Sequence, residues 1–285
     1  MGSGKMSKIK IVIDSTVDLT KETIEAWDIR VVPLSISIDG QTYVDGIDFT
    51  PQQFIEKMKQ ADELPKSSQP SAGQFLQVYD ELGEAGYDVI SIHMTGGMSG
   101  TVRSAESAAA MTKTNVTVID SRFISLALGF QVLEAAKMAA EGKTVEEIVS
   151  RLDTIRENTH LFVVVDTLEN LVKGGRIGRG KAMIGSLLNI KPIASLQDGV
   201  YTPVTKVRSQ SQIVKFLTNQ FVEHTKGKMI RAVGIAHAEA MDLSERLKQS
   251  IAEATGWTQT DIVYTTPIIS THTGPGAIGF MYYTE

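Results

Sequence analysis

Ser99 lies in the glycine-rich turn TGGMSGT, which follows an apolar, β-branched stretch at residues 89–94. The apolar stretch predicts a buried strand, and the sequence after the turn predicts a helix with Ser99 at its N-cap. Backbone N–H groups at the start of a helix have no partner within the helix and can bind an anion. The turn, with Gly97, Gly100 and Thr101 beside the serine, therefore predicts a site for an anionic group.

Two other polar stretches can meet this turn. One is HTGPG, where His272, Thr273 and Gly274 begin what we interpret as a glycine-rich loop over residues 272–279. His272 is the one of the five histidines whose setting suits a hydrogen bond to an anion, and the five together show no metal-ligand spacing. The other stretch is the hydroxyl-rich LPKSSQP at residues 64–70, which we interpret as a loop between two helices.

The Ser99 turn is also close to the nucleophile elbow of serine hydrolases. GMSGT departs from the pattern G-x-S-x-G only at Thr101, and His272 follows Ser99 in the chain order of that enzyme class. No aspartate or glutamate stands out in the sequence as the third member of a triad. Three interpretations of Ser99 therefore stay open: a hydrolase nucleophile, a ligand of an anion and a simple helix cap.

Four cationic residues lie close together at Lys173, Arg176, Arg179 and Lys181. The segment GRIGRGK among them matches the phosphate-loop pattern G-x-x-x-x-G-K, but Ala182 stands where a serine or threonine would hold magnesium. The predicted strand before it also ends too early for a phosphate loop. We therefore argue against an ATP site here and expect the cations to form a solvated face, with docking of a phosphate or a partner as the sharper alternative.

Strands and helices alternate along the first half of the chain. Two strands end in the same dipeptide, Asp-Ser, at residues 14–15 and 120–121, and ligands gather at the carboxyl ends of parallel strands. Capping boxes predict helices that start after Thr50, Ser71 and Thr144. This pattern predicts a mainly parallel sheet flanked by helices, within an α/β fold.

The second half combines helices with a strong hairpin signal, the dipeptide Asp-Gly at residues 198–199 between IASLQ and VYTPV. It therefore predicts an α+β domain with a mixed or antiparallel sheet. We place the domain boundary near Thr159, with an N-terminal domain over 1–159 and a C-terminal domain over 160–285. Residues 1–7 are expected to be an expression tag or a disordered tail.

Two further expectations concern single strands. We interpret residues 31–38 as one strand that runs into the turn at Asp39 and Gly40. His93 lies inside an apolar strand, which predicts a core histidine with its hydrogen bonds satisfied.

Composition narrows the classes of function. The 285 residues are 42% hydrophobic, enough for a sizeable core, and the net charge of −5 argues against a general affinity for nucleic acid or acidic membranes. Zero cysteines exclude disulfides and thiolate metal sites. No apolar run approaches the length of a membrane span, and no secretory leader is apparent. We expect a soluble, cytoplasmic protein.

Six stretches of the chain, in order, resemble the signature blocks of the DegV family, the fatty-acid-binding (FakB-type) subunits of bacterial fatty acid kinase. The similarity covers nearly the whole chain from about residue 8 onward. The six stretches are DSTVDL at 14–19, SSQPS at 67–71, SGT at 99–101, KGGRI at 173–177, GSLLNIKP at 185–192 and HTGPG at 272–276.

This resemblance implies a non-catalytic protein that binds one long-chain fatty acid, such as a palmitate-like chain, at the junction of the two domains. It implies that Ser67, Ser99 and His272 hold the carboxylate while the acyl chain is buried. Where this chain has Ser67, the family commonly has threonine. Gly97, Gly100, Thr101, Thr273 and Gly274 are expected to form the supporting loops.

The resemblance also implies a partner, a separate ATP-using kinase subunit that converts the bound fatty acid to an acyl phosphate. Arg176, with Lys173 near it, is expected to contact that subunit. The fatty acid is the only ligand implied, without cofactor, metal or nucleic acid, and contact with membranes is expected only for lipid exchange. An esterase or thioesterase that uses Ser99 and His272 remains the alternative.

Overall fold

The computed structural model describes residues 8–185 and 189–285. Residues 1–7, for which the sequence predicts a tag or a tail, lie outside the described residues, as do residues 186–188 of the fifth sequence block. The described chain forms two main β-sheets and a smaller third sheet.

The first main sheet is parallel, as the alternation of strands and helices predicts. It contains β1 (Lys8–Asp14), β2 (Arg30–Val32), β6 (Tyr87–His93) and β7 (Val116–Asp120). The strands lie in the order β2-β1-β6-β7, and every neighbouring pair runs parallel. Because parallel strands end at the same edge, Asp14 and His93 are brought together at the carboxyl ends of β1 and β6.

The second main sheet is mixed, which confirms the prediction for the second half. It contains β8 (Thr159–Val164), β9 (Lys191–Gln197), β10 (Val200–Val207), β11 (Ile230–His237), β12 (Asp261–Tyr264) and β13 (Ile278–Thr284). The order is β10-β9-β8-β13-β11-β12, and only β11 and β12 run parallel. The predicted hairpin joins β9 to β10, and Asp198 and Gly199 take the positive φ values of 53° and 77° that its turn needs.

The third sheet corrects two expectations. It contains β3 (Ser35–Ile38), β4 (Gln41–Val44) and β5 (Lys66–Ser68), all antiparallel. Residues 31–38 are therefore two strands in two sheets, because Pro33 has no N–H to continue the ladder. The stretch at residues 64–70 is likewise not all loop, since β5 pairs with β3 and places Ser67 opposite Ile36.

Ten α-helices within the described residues surround these sheets. Their bounds are α1 (Lys21–Ala26), α2 (Pro51–Gln60), α3 (Ala72–Glu84), α4 (Thr101–Met111), α5 (Ser125–Ala140), α6 (Val145–Glu157), α7 (Glu169–Lys173), α8 (Gln210–Thr225), α9 (Met241–Thr255) and α10 (Pro267–Thr273). The three predicted capping boxes are present, with the side chains of Thr50, Ser71 and Thr144 at the starts of α2, α3 and α6.

Helix α5 lies between the two main sheets and contacts strands of both. It is predominantly apolar, which is typical of a helix covered on several sides. The largest core cluster is accordingly continuous, and it joins Ile13 and Ile92 of the parallel sheet to Val163 and Met281 of the mixed sheet. The outer faces have separate cores, under α3 and α4 on one side and under α8 and α9 on the other.

Helix α10 replaces the first part of the glycine-rich loop that the sequence predicts, so that His272 and Thr273 lie in its last turn. The prediction was wrong because four of the seven helical residues are β-branched and have low intrinsic helix propensity. Pro267 at the first helical position favours the helix, and Gly274 ends it with a positive φ of 75°.

Candidate ligand-binding site

A narrow cavity lies where α10, β8 and the Ser99 turn meet, and its volume is about 50 Å³. The three stretches that the sequence predicts to meet each contribute to its wall. Its polar lining residues are Ser67, Gln69, Ser99, Arg176, His272 and Thr273. Its apolar and aromatic lining residues are Leu34, Met94, Met98, Ile124, Val163, Leu171, Tyr201, Ile268 and Ile269. The cavity is thus mostly apolar, with a few converging polar groups.

Ser67 and His272 form a direct hydrogen bond across this cavity. Ser67 Oγ lies 2.6 Å from His272 Nε2, although the two residues are 205 positions apart in the chain. β5 presents the serine, and the last turn of α10 presents the imidazole. Gly174 makes room for the ring, because a Cβ atom at this position would lie 2.5 Å from His272 Nδ1.

The imidazole of His272 is neutral at physiological pH. Burial, together with the positive charge of Arg176, lowers the pKa of His272 to about 4. Its Nδ1 atom is buried and has no hydrogen-bond partner within the described residues. A neutral imidazole carries one N–H donor and one acceptor nitrogen. His272 can therefore donate one hydrogen bond and accept another, with Ser67 or a ligand as the partner.

Ser99 lines the cavity, but its hydroxyl also stabilises the start of α4. Its Oγ accepts a hydrogen bond from the amide of Thr101 at 3.1 Å and lies 2.8 Å from Thr101 Oγ1. The N-cap of α4 is Gly100, so the predicted N-cap position is wrong by one residue. The structure pairs His272 with Ser67, so the hydrogen bond that a Ser99–His272 dyad requires is not present among the described residues.

The backbone amides of this turn are less available than the sequence predicts. The amide of Gly97 donates to Thr95 Oγ1 at 3.1 Å, and that of Thr101 is taken by Ser99. Gly97 and Gly100 serve close packing, against the carbonyl of Gly199 and the side chain of Gln69 respectively. The side chains that line the cavity are therefore the better candidates for holding an anion.

Arg176 is not fully exposed, although the sequence predicts that it belongs to a solvated face. It is half-buried, and its guanidinium donates to the carbonyls of Met98 at 2.8 Å and Gly174 at 2.6 Å. Burial lowers its pKa below the ordinary value, yet an arginine stays charged in proteins. Arg176 therefore brings a positive charge to the wall of the cavity.

The other three cations of this segment are exposed, as the sequence predicts. Lys173 pairs with Glu169 at 2.7 Å and Arg179 with Asp198 at 3.1 Å. The phosphate-loop match at residues 175–181 does not follow a strand directly, and its second half forms a short 3₁₀ helix, Gly178–Met183. This context differs from the strand–loop–helix of a phosphate loop.

A chain of buried, hydrogen-bonded polar side chains ends at the cavity residue Met94. Asp14 Oδ2 lies 3.2 Å from His93 Nδ1, and His93 Nε2 lies 2.5 Å from Ser91 Oγ, which accepts from the hydroxyl of Tyr79 at 2.6 Å. This confirms His93 as a satisfied core residue. The serine, histidine and aspartate are fully buried, so no substrate reaches them, and Asp14 fixes the cavity residue Met94 by accepting from its amide at 2.8 Å.

Electrostatics in this buried chain favour an ionised aspartate. Burial raises the pKa of Asp14, but hydrogen bonds to its carboxylate and the nearby His93 outweigh burial and bring the pKa below its ordinary value. An ionised Asp14 can accept all of its hydrogen bonds, and the network needs no solvent.

Two further buried carboxyl groups hold the start of α10, and only one of them lies in a recognisable sequence block. Asp18 accepts from the hydroxyls of Ser125 at 2.6 Å and Thr265 at 2.7 Å, and from the amide of Thr266 at 2.8 Å. Asp45 accepts from the hydroxyl of Thr266. Burial raises the pKa of Asp18 to about 6 and that of Asp45 to about 7. No sequence motif marks Asp45.

Comparison with known proteins assigns this chain to a family. The model of the DegV family, described as "Uncharacterised protein, DegV family", matches residues 8–285. The chain belongs to the DegV family. A DegV domain-containing protein of Listeria monocytogenes is 43% identical over 281 residues, covering 98% of this chain and 100% of its own length.

Solved DegV structures have the same fold as this chain. A DegV family protein from Thermus thermophilus, described with fatty acid binding, superposes with a TM-score of 0.91 and 32% identity, covering 98% of this chain and all of its own. DegV from Bacillus subtilis, described as a fatty acid binding protein, superposes with a TM-score of 0.89 and 32% sequence identity, with the same coverage of both chains. A stearic-acid-binding protein from Eubacterium ventriosum superposes with a TM-score of 0.88 and 25% sequence identity, covering 97% of this chain and 98% of its own.

The described residues contain neither a membrane-spanning helix nor a cluster of metal ligands. No described helix has both the length and the apolar character needed to cross a bilayer. Within residues 8–185 and 189–285, no three histidine, aspartate or glutamate side chains are placed to hold a metal ion together.

Proposed function

We propose that this DegV protein binds one long-chain fatty acid, with its carboxylate at Ser67, His272 and Arg176 and its acyl chain in the apolar part of the cavity. One observation carries the proposal: the hydrogen-bonded pair Ser67–His272 and a half-buried arginine line the same cavity as nine apolar or aromatic residues. A fatty acid has the same division into one anionic group and one apolar chain.

The polar groups can hold a carboxylate without a metal ion. With its proton on Nε2, neutral His272 donates to Ser67 Oγ, and the proton of the Ser67 hydroxyl is then free to donate to the carboxylate. Arg176 supplies the compensating positive charge, and hydrogen bonds between charged partners are stronger than neutral ones. Ser99 adds a hydroxyl whose oxygen already accepts from Thr101 and whose proton can turn to the ligand.

Burial of the acyl chain supplies most of the affinity. Each buried methylene contributes about 0.8 kcal/mol, so a chain of some sixteen carbons gains on the order of 10 kcal/mol before ordering costs. The cavity of about 50 Å³ must widen for this, since even benzene occupies a cavity of about 150 Å³. Met94 and Met98 line the wall, and methionine side chains adapt to new shapes at low cost.

We further propose that the bound fatty acid is presented to a separate ATP-using kinase subunit. An open groove of about 710 Å³ shares Ser67, Arg176 and His272 with the cavity, so the carboxylate end faces this groove. Exposed Lys173 lies on its rim and can contact the partner. The segment at residues 175–181 lacks the context of a phosphate loop, so the phosphoryl donor is assigned to the partner subunit.

The first test is mass spectrometry of the purified full chain, native and then denatured with organic extraction. Release of a non-covalent fatty acid, at about one per chain, is the expected result for a carrier. If the protein stripped of lipid takes up no palmitate, the carrier assignment is wrong. Presentation is tested separately, by adding the kinase subunit and ATP and trapping acyl phosphate with hydroxylamine.

A serine hydrolase remains a second candidate because of one observation, the 2.6 Å contact between Ser67 and His272. In such an enzyme Ser67, rather than Ser99, is the nucleophile and His272 is the base. Hydrolysis of p-nitrophenyl acyl esters by the protein alone, abolished in Ser67→Ala, supports this candidate. Against it stands His272 Nδ1, which within the described residues has no carboxylate to orient it.

A further inference from the structure

A second cavity, of about 30 Å³, extends the first one deeper between the mixed sheet and α10. Four residues line both cavities: Ile124, Val163, Ile269 and Thr273. Ser67, Arg176 and His272 line the first cavity but not the second, so the second cavity lies away from the polar end. We call it the distal cavity.

Gly279 leaves the space that forms part of the distal cavity. It lies on β13, the strand between β8 and β11, directly opposite Val163 and Ala236. A Cβ atom at Gly279 would lie 3.3 Å from the terminal methyl of Met281, and the next neighbours are 3.9 Å away or more. Its φ is not positive, so an alanine fits the backbone without strain.

The other side of the distal cavity is closed by two hydroxyl residues that cannot easily move. Ser125 and Thr265 both line it, and both donate to the buried carboxylate of Asp18, at 2.6 Å and 2.7 Å. Moving either residue outward breaks a partly buried hydrogen bond, which costs more than a rotation of an apolar side chain. The distal cavity therefore has a firm polar floor, and the space beside Gly279 is limited.

We infer that Gly279 and the Asp18-bound floor set the length of acyl chain that this protein prefers. The inference rests on the proposed function. The terminal methyl group of the chain lies beside Gly279, against Ser125 and Thr265, when the carboxylate is at Ser67 and His272. Because the distal cavity is only about 30 Å³, one added methyl group at Gly279 removes space for about one methylene.

The test is competitive loading of lipid-stripped protein from an equimolar mixture of myristate, palmitate and stearate, read by native mass spectrometry. Gly279→Ala is expected to lower the ratio of stearate to palmitate by about fourfold, the factor that corresponds to about 0.8 kcal/mol per excluded methylene. Val163→Ala, which enlarges the same space from the opposite strand, is expected to raise that ratio.

Gly73→Ala is the matched control. Gly73 is exposed on α3, and an added Cβ atom there meets only Ser71 Oγ, at 3.8 Å, so the ratio should stay at the wild-type value. A folded Gly279→Ala with the wild-type ratio overturns the inference. If Gly279→Ala does not fold, as judged by thermal unfolding, an unchanged ratio in Val163→Ala overturns it instead. Uptake of none of the three acids by the wild type contradicts the proposed function itself.

Discussion

Asp45 and Thr266 are joined by a hydrogen bond in which the hydroxyl of Thr266 lies 2.6 Å and 2.7 Å from the two carboxylate oxygens. Thr266 is the N-cap of α10, yet its side chain does not cap its own helix and reaches Asp45 instead. Asp18 accepts from the amide of the same residue. The two aspartates thus hold the first turn of the helix whose last turn carries His272.

The stability of the protein should depend on pH through these two carboxyl groups. Burial raises the pKa of Asp18 to about 6 and that of Asp45 to about 7, above the ordinary value of 3.8. A carboxyl group with a raised pKa binds its proton more tightly in the folded chain, so the free energy of unfolding falls as pH rises from about 4 to about 7. We expect Asp45→Asn to abolish the part of this fall that comes from Asp45, which is on the order of 4 kcal/mol.

Urea unfolding of the wild type and Asp45→Asn at a series of pH values checks this prediction. The pKa values of His160 and His272 are lowered to about 4, chiefly by burial, which weakens the fold as pH falls below the ordinary value of 6.5. Both proteins share this contribution, so it cancels in their difference. Parallel curves for the two proteins would show that Asp45 does not titrate in this range.

The affinity for palmitate should depend on the hydroxyl group of Ser67 more than on the size of this side chain. Ser67→Ala removes one hydrogen bond to a charged ligand group, worth about 1.5–3 kcal/mol, and should weaken palmitate binding by roughly tenfold or more. Ser67→Thr keeps the hydroxyl and should bind palmitate nearly as the wild type does. Fluorescence competition measures both affinities. Equal affinities of the alanine variant and the wild type would remove Ser67 from the site.

Arg176 should affect both lipid retention and turnover, because it lines the cavity and opens to the groove. Arg176→Ala is expected to weaken palmitate binding as well as kinase-dependent formation of acyl phosphate. Lys173→Ala is the matched control on the same segment, and its exposed side chain should leave lipid binding unchanged. If Arg176→Ala retains the lipid at full affinity, the arginine serves the partner alone.

Substitution of Ser99 should lower both the stability of the protein and its ability to bind the ligand. Ser99→Ala removes the hydroxyl that accepts from the amide of Thr101, and the loss of this hydrogen bond should cost about 0.5–1.5 kcal/mol of stability. It should also lower acyl phosphate formation at temperatures where the protein is folded. Ser107→Ala, on the exposed face of α4, is the control and should show neither loss. Normal turnover in folded Ser99→Ala would limit the role of Ser99 to stabilising the start of α4.

Local signals predicted much of the fold. The capping box at Thr50, the hairpin turn at Asp198 and the buried position of His93 each depend on neighbours within a few residues, or on an unbroken apolar run. The order of six sequence blocks also indicated the family correctly. The division into two domains near Thr159 stays a prediction.

The elements that were missed depend on distant partners. β5 exists because β3 offers it an edge, and α10 exists because Asp18 and Asp45 hold its first turn. The sequence predicted an exposed Arg176 because the neighbouring residues are charged. Its guanidinium instead donates hydrogen bonds to the carbonyls of Met98 and Gly174. Contacts of this kind leave no pattern along the chain, so neither composition nor spacing could predict them.

The position of β13 has a consequence for the order of folding. β13 comprises residues 278–284 and lies in the interior of the mixed sheet, between β8 and β11. Its pairing with β8 joins segments that are more than a hundred residues apart in the sequence. The mixed sheet cannot close before this long-range pairing forms, and pairings of this kind are typical of slow-folding topologies.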